Sequence, residues 1–241
     1  MKYVDRFYRS FELKGTTPFQ IAIGESDLFI RADSDLSDLA KKRLGTVRMQ
    51  IETYINQHPE FADALTPLPL DDLAPRVVRT MINAGRKANV GPMAAVAGAV
   101  AWMVGEKLGE VSKQVMVENG GDLYLKLDQD LTVGIFAGDS VLSGKVGLKI
   151  RADQTPCGLC TSSGMVGHSL SQGKADAVTI FSEDSALADA TATAIGNLIH
   201  SEKDIQPALQ AAMGIEKVKG VCIIYKDKLG ALGELELCPI D

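Results

Sequence analysis

Residues 93–105 form an uncharged run of small and aliphatic side chains, interrupted by one tryptophan. A bilayer span takes about 20 apolar residues, so this run is too short to cross one. It reads instead as a helix buried on all sides. A chain of 241 residues is ample for a core that encloses it. Aromatic residues make up only 5%, so that core is built mostly from Ala, Val, Ile and Leu. The 23 glycines favour close backbone approach and tight turns.

The other segments alternate between strand and helix patterns. Phe19, Ile21 and Ile23 alternate with smaller or polar residues, Gly24-Glu25-Ser26-Asp27 supplies a turn, and Leu28-Phe29-Ile30 completes a hairpin. Ala40, Leu44, Val47, Ile51 and Tyr54 recur at helical spacing and predict an amphipathic helix over 37–57. Thr66-Pro67-Leu68-Pro69 is a rigid connector. Leu73, Val77, Met81 and Ile82 mark a second helix ending near Lys87. Pro92 stands where a first-turn proline is welcome, and the buried helix runs on to about Leu108.

Strands are expected at 115–117, 123–125, 131–136, 146–150 and 177–181, the last running into a helix over about 185–199. A short helix over 205–213 precedes a closing hairpin of 218–225 and 232–237. Hairpins dominate and strict βαβ alternation is missing, so the chain reads as an α+β (mixed α/β) domain. No repeat, low-complexity tract or linker divides residues 1–241. Residues 1–70 suggest an N-terminal hairpin-plus-helix subdomain, although no composition shift marks its end.

Net charge is −6, and the densest basic run, Lys41-Lys42-Arg43, reads as the solvated face of a helix. That argues against nucleic acid as a partner. The N-terminus has no apolar leader and no lipid-attachment site. The four cysteines, at 157, 160, 222 and 238, form no secreted disulfide framework. A cytoplasmic protein without a membrane segment is the expectation. Nothing in the sequence sets an oligomeric state.

Five features bear chemistry. Asp189 and Thr193 are four apart in the expected helix, so they share a face. A carboxylate and a hydroxyl so placed suit Mg2+, which takes one or two carboxylates and fills its shell with water and phosphate. A solvated Asp on an Ala-rich helix is the plainer alternative. Cys160-Thr161-Ser162-Ser163-Gly164 offers hydroxyls and backbone N–H groups to an anion, or forms a polar surface turn. His168 follows and is a proton-transfer candidate.

Glu118-Asn119-Gly120-Gly121-Asp122 reads as a hairpin turn whose glycines let a ligand approach the backbone, with Asp122 as a hydrogen-bond acceptor or proton acceptor. Gly91-Pro92-Met93 opens a helix and so offers an anion contact, or is merely the start of a core helix. Cys157 and Cys160 form a lone C-x-x-C. It lacks further zinc ligands at a recognisable spacing, and two buried thiols are favoured over a redox pair.

In this order, Gly120-Gly121-Asp122, Ser163-Gly164, Asp176-Ala177-Val178-Thr179-Ile180 and Ala188-Asp189-Ala190-Thr191-Ala192-Thr193 resemble the ApbE superfamily of Mg2+-dependent flavin transferases. The resemblance covers roughly residues 91–197. It implies a two-layer, T-fold-like arrangement of largely antiparallel sheets with packed helices, and an FAD or FMN site. It also implies that Asp189 and Thr193 hold Mg2+ against the FAD pyrophosphate. Ser162, Ser163 and Gly164 would line the phosphate pocket, with Gly120, Gly121, Gly91 and Met93 about it. His168 or Asp122 would transfer the proton. The transferases move FMN onto a Thr or Ser of an acceptor protein.

This sequence lacks two of their signatures. Only Met165-Val166-Gly167-His168-Ser169-Leu170 stands where they carry a longer His-rich stretch leading into Asp-Pro-x-Thr-Gly, and no Lys-Gly-Tyr precedes the central helix. The chain is similar to a short, cytoplasmic ApbE-like branch associated with anaerobic sulfur assimilation into homocysteine. Three functions follow from these observations. The first is Mg2+-dependent FMN transfer or FAD hydrolysis. The second is binding of a flavin or small phosphate ligand without turnover. The third is a sulfur-carrier or redox role for Cys157 and Cys160.

Overall fold

The computed structural model describes residues 13–163 and 173–240. It begins with the expected hairpin, β1 (Thr17–Ile23) and β2 (Ser26–Ala32), in the register Ile21↔Leu28. The amphipathic helix α1 spans Ser37–Gln57, with Ala40, Leu44, Val47 and Ile51 buried. A short helix α2 (Glu60–Asp63) follows. Helix α3 (Arg76–Ala88) starts later than the apolar spacing predicts, and Leu73 is 96% exposed. Asp71 accepts the Leu73 N–H at 3.0 Å, which holds that stretch in a turn, and Pro75 forms the helix boundary. One 3-10 turn (Pro92–Ala95) leads into α4 (Val96–Leu108).

The remaining elements are β3 (Val115–Asn119), β4 (Asp122–Lys126), β5 (Leu131–Gly134), β6 (Val146–Ile150), β7 (Cys157–Ser162), β8 (Ala177–Ser182), α5 (Ser185–Gly196), α6 (Ile205–Met213), β9 (Val218–Tyr225), β10 (Lys228–Gly233) and β11 (Glu236–Pro239). Eight strands form one sheet in the order β1-β2-β3-β4-β7-β8-β9-β10, antiparallel throughout. A second sheet has the order β11-β6-β5. The α+β class and largely antiparallel sheets agree with the sequence reading.

Strand alternation sends side chains to two cores. Ile21, Leu28, Ile30, Val115, Val117 and Tyr124 face α1, α3 and α4, while Val178, Ile180, Val221 and Ile223 face α5 and α6. Met116, Leu125, Leu159, Phe181 and Ile224 point the other way and pack against Leu131, Val133, Leu148 and Ile150 of the small sheet. Helix α4 is enclosed by α1, α3, α5 and the sheet. Its Gly105 lets it cross close to the sheet, since a Cβ there would lie 2.1 Å from the Tyr124 ring. No single helix among the described residues is long and apolar enough to cross a membrane; α3 and α4 pass together only as a pair bent by 105°.

Two local expectations change. Thr161 and Ser162 belong to β7 rather than to a surface turn. β7 is paired on both sides, with β4 through Asp122↔Cys160 and with β8 through Thr161↔Thr179. A 2.9 Å hydroxyl contact between Thr161 and Thr179 adds to that second pairing. The stretch 232–237 is not one strand. At Gly233 φ is +95°, and a Cβ would lie 2.3 Å from the Lys219 carbonyl oxygen, so the chain leaves the large sheet there and joins the small one as β11.

Candidate functional site

Two glycines bring the chemistry-bearing segments together. On β7, Gly158 faces the first residue of α5; a Cβ there would stand 2.4 Å from Ser185 Cα. Ser185 is fully buried and its hydroxyl donates to the Leu123 carbonyl of β4 at 3.0 Å. On α4, a Cβ at Gly98 would stand 2.2 Å from the Ser185 carbonyl oxygen and 2.8 Å from Asp189 Cβ. The start of α5 is thus clamped between β4, β7 and α4. Asp184 caps it, accepting from the Ala186 and Leu187 N–H groups.

One turn further along α5, Asp189 is 8% exposed, and its Oδ2 accepts the Gly98 N–H at 2.9 Å. Gly98 lies in the first turn of α4, whose N–H groups have no partner within their own helix. Asp189 therefore caps a neighbouring helix from the side. Thr193, also 8% exposed, lies one turn beyond on the same face. Asn119 secures the same turn of α4 from β3, its Nδ2 donating to the Ala97 carbonyl at 3.1 Å.

Asp122 approaches from the sheet. It opens β4 after a two-residue turn, Gly120-Gly121, in which φ is +69° and +105°. Positive φ at both positions is the twist-matched hairpin geometry that favours glycine. The Gly121 N–H donates to Glu118 at 2.8 Å. Asp122 faces Cys160 across the β4–β7 register and is 7% exposed. Ser162 lies two residues on from Cys160, so it shares that face.

Burial, then the neighbouring Asp189 charge, holds the Asp122 carboxyl well above the usual carboxylate range, against hydrogen bonds from Cys160 and the Thr161 N–H. Burial pushes Asp189 up to about 7, against the N–H groups of Gly98 and Ala97. The two acids are electrostatic neighbours in a dry setting, the Glu118 charge adds to the rise at Asp122, and among the described residues no basic side chain contributes to either shift.

The other candidates are placed differently. Gly91 is buried, with its N–H donating to Leu65 O at 3.0 Å; a Cβ would lie 1.6 Å from Ala64 O. It packs against the 64–65 backbone, to which its N–H is committed. Met93 is half-buried against the α1/α3/α4 core. Ser163 is half-buried at the end of the first described stretch, while Gly164 and His168 lie outside the described residues. Cys157 and Cys160 are three apart in a strand and face opposite sides of the sheet, Cys157 toward the small sheet and Cys160 toward α5. Burial pushes the Cys157 thiol up to about 12 and the Cys160 thiol well above its ordinary value. That geometry separates the two thiols across the sheet and accords with the favoured reading of two buried free thiols.

Sequence reasoning missed Gly98 and Gly158. Their only signal was glycine within apolar helix and strand patterns, which marks close backbone approach. Among the described residues no cluster of three or more His, Cys, Asp or Glu side chains forms a metal cage.

The family described as "AbpE bacteria" matches residues 10–227. The chain belongs to this family. UPF0280 proteins of Methanococcus vannielii and Methanocaldococcus jannaschii are each 40% identical to it over 222 residues, covering 90% of both chains. The fold is that of the flavinyl transferase ApbE of Pseudomonas stutzeri, with a TM-score of 0.58 at 13% identity, covering 90% of this chain and 94% of that one. Flavin transferase ApbE from Vibrio cholerae superposes with a TM-score of 0.53, also at 13% identity, covering 91% and 97%. This ApbE-like chain therefore has the transferase fold at an identity that speaks for architecture alone.

Proposed function

We propose that the meeting of α4, α5 and β4 is a Mg2+-dependent site for a flavin or nucleotide pyrophosphate, used for FMN transfer or FAD hydrolysis. The observation that carries this reading is the pair of buried neighbouring carboxylates, Asp122 and Asp189, for which no basic side chain among the described residues offsets the charge. Two such charges in a dry site call for shared protons or a bound cation. The donor set is all hard oxygen: Asp189 and the Thr193 hydroxyl, with the Asp122 carboxyl beside them. It is too small to be a cage, which suits an ion that completes its shell with water and substrate phosphate. When bound, Mg2+ would neutralise charge on the pyrophosphate.

The residues of this chain divide the remaining work. Asp189 is fixed by the Gly98 N–H through Oδ2, and its carboxylate would hold the ion. Thr193 presents its hydroxyl on the same helix face. The Gly120-Gly121 turn gives a ligand close access to the backbone beside β7, where Ser162 lies. In the transfer, the attacking hydroxyl or water forms a new P–O bond to the flavin-side phosphorus and AMP leaves. Asp122 takes up the proton of the attacking group.

Incubation with FAD and Mg2+ should release AMP, or label a Thr- or Ser-bearing acceptor with FMN. Asp189→Ala should abolish either product. Tight FAD or FMN binding by calorimetry with no product would support the alternative, a ligand-binding protein. The missing Asp-Pro-x-Thr-Gly segment favours that alternative on sequence grounds. Neither product nor binding would refute both. A cytoplasmic setting accords with the free, mostly buried thiols.

A further inference from the structure

The Lys41-Lys42-Arg43 run reads in sequence as a solvated helix face, and Lys41 and Lys42 are indeed exposed. Arg43 is not: it is half-buried, with Nε donating to Met103 O at 3.0 Å and Nη2 directed at Met103 Sδ at 3.7 Å. These contacts fix its guanidinium in the wall of a cleft of about 400 Å3 between α1, the start of α3 and the end of α4. Lys42, Arg43, Arg76 and Lys107 line the cleft, against Glu106 and Glu110. Both acids already have partners. Arg76 grips Glu106 through two hydrogen bonds, at 2.5 and 2.7 Å, and Lys107 pairs with Glu110.

Among the described residues neither Lys42 nor Arg43 is in an ion pair. A chain of net charge −6 thus gathers two uncompensated cations in one concavity and places two more beside them. A cleft of this size falls in the range of small-molecule sites. Its position is separate from the site proposed above. Gly98 and Glu106 are eight residues apart on α4, or about 12 Å along the helix axis.

We infer that this cleft between α1 and the end of α4 binds a small, multiply charged anion, an organic phosphate or a polycarboxylate. Lys42 and Arg43 supply the uncompensated charge. Arg76 and Lys107 are oriented by their own acids and offer their remaining N–H groups.

The test is calorimetric titration of the full chain in metal-free buffer, with inorganic pyrophosphate and with citrate as the two probes. One saturable site is expected. Its affinity should fall about tenfold or more in Lys42→Glu and fall with added salt. It should be unchanged in Lys41→Glu, an exposed neighbour that does not line the cleft, and in Asp189→Asn. Preference for pyrophosphate points to a phosphate ligand, and preference for citrate to a polycarboxylate. Absence of saturable binding by either probe overturns the inference. So does binding that survives Lys42→Glu but is lost in Asp189→Asn, since that would place the anion at the far end of α4. No divalent ion is present, so failure of the Mg2+ reading would leave this result interpretable on its own.

Discussion

Replacing Asp189 by Asn should stabilise the metal-free protein above neutral pH. The carboxyl is buried, and its folded value stands at about 7 against an ordinary 3.8. A group raised in this way supports the fold fully below the unfolded value. It loses that support as pH climbs through the folded value. Stability should therefore decline between about pH 4 and pH 7 and stay low above that. A rise of that size corresponds to about 4 kcal/mol at pH 8. Asn keeps an oxygen to accept the Gly98 N–H but never ionises.

With the buried Asp122 still nearby, we expect the variant to gain about 2–4 kcal/mol at pH 8 and little at pH 4. For a chain of this size that is a Tm rise of roughly 4–16 °C. The assay is denaturant unfolding across pH 4–9, in metal-free buffer and again with Mg2+. Wild type should gain stability from Mg2+ at pH 8 through preferential binding to the native state, and the variant should gain almost none. A wild-type stability that is flat from pH 4 to 8, or an Asn variant that is less stable at pH 8, would refute the argument.

Three further outcomes follow from the packing. Gly98→Ala forces a methyl to within 2.2 Å of the Ser185 carbonyl oxygen, so it should cost about 3 kcal/mol or more by denaturant unfolding. Thr191 is fully buried and its hydroxyl has no partner among the described residues, so Thr191→Val should raise stability by about 1 kcal/mol; a loss instead would show that the hydroxyl has a partner. Cys157, Cys160 and Cys222 are buried while Cys238 is half-exposed. A thiol reagent should therefore modify Cys238 rapidly in the native protein and the other three only on unfolding. Rapid native labelling of Cys160 would contradict its placement under α5.

What could be read in advance was what depends on local period. The Asp189–Thr193 pairing needs only a helix, the Gly120-Gly121 turn needs only its glycines, and α1 coincides with the spacing of Ala40, Leu44, Val47 and Ile51. What could not be read depends on partners distant in sequence. β7 looked like a hydroxyl-rich turn because Thr161 and Ser162 are polar. Its strand character comes from pairing with β4 and β8, tens of residues away on either side. Once it is a strand, the C-x-x-C spacing divides its thiols between two faces, and the sulfur-pair reading loses its geometry. The Asp122–Cys160 contact is a matter of register, and alternating pattern alone does not set register between non-adjacent segments.

The most informative residues for the site carry no functional group. Asp189 is i+4 from Ser185, and Ser185 is held against the sheet because Gly158 has no side chain. Gly98 removes the same obstacle on α4, so the helix N-terminus reaches the Asp189 carboxylate. Any Cβ at either position, 2.4 or 2.2 Å from Ser185 backbone atoms, would force α5 outward. Asp189 would then lose its N–H donors while remaining in the sequence. The Asp/Thr pair that draws the eye as a metal motif thus depends on two glycines outside it. A related chain that keeps the pair but fills either glycine position should retain the fold and lose the close approach of the two carboxylates. The test is to install Ala at Gly158 and measure the pH at which Asp189 titrates, by carboxyl-carbon NMR. A value that falls from about 7 toward the ordinary range would show that the glycine holds the carboxylate in its dry position. An unchanged value would mean that α5 is seated by other contacts.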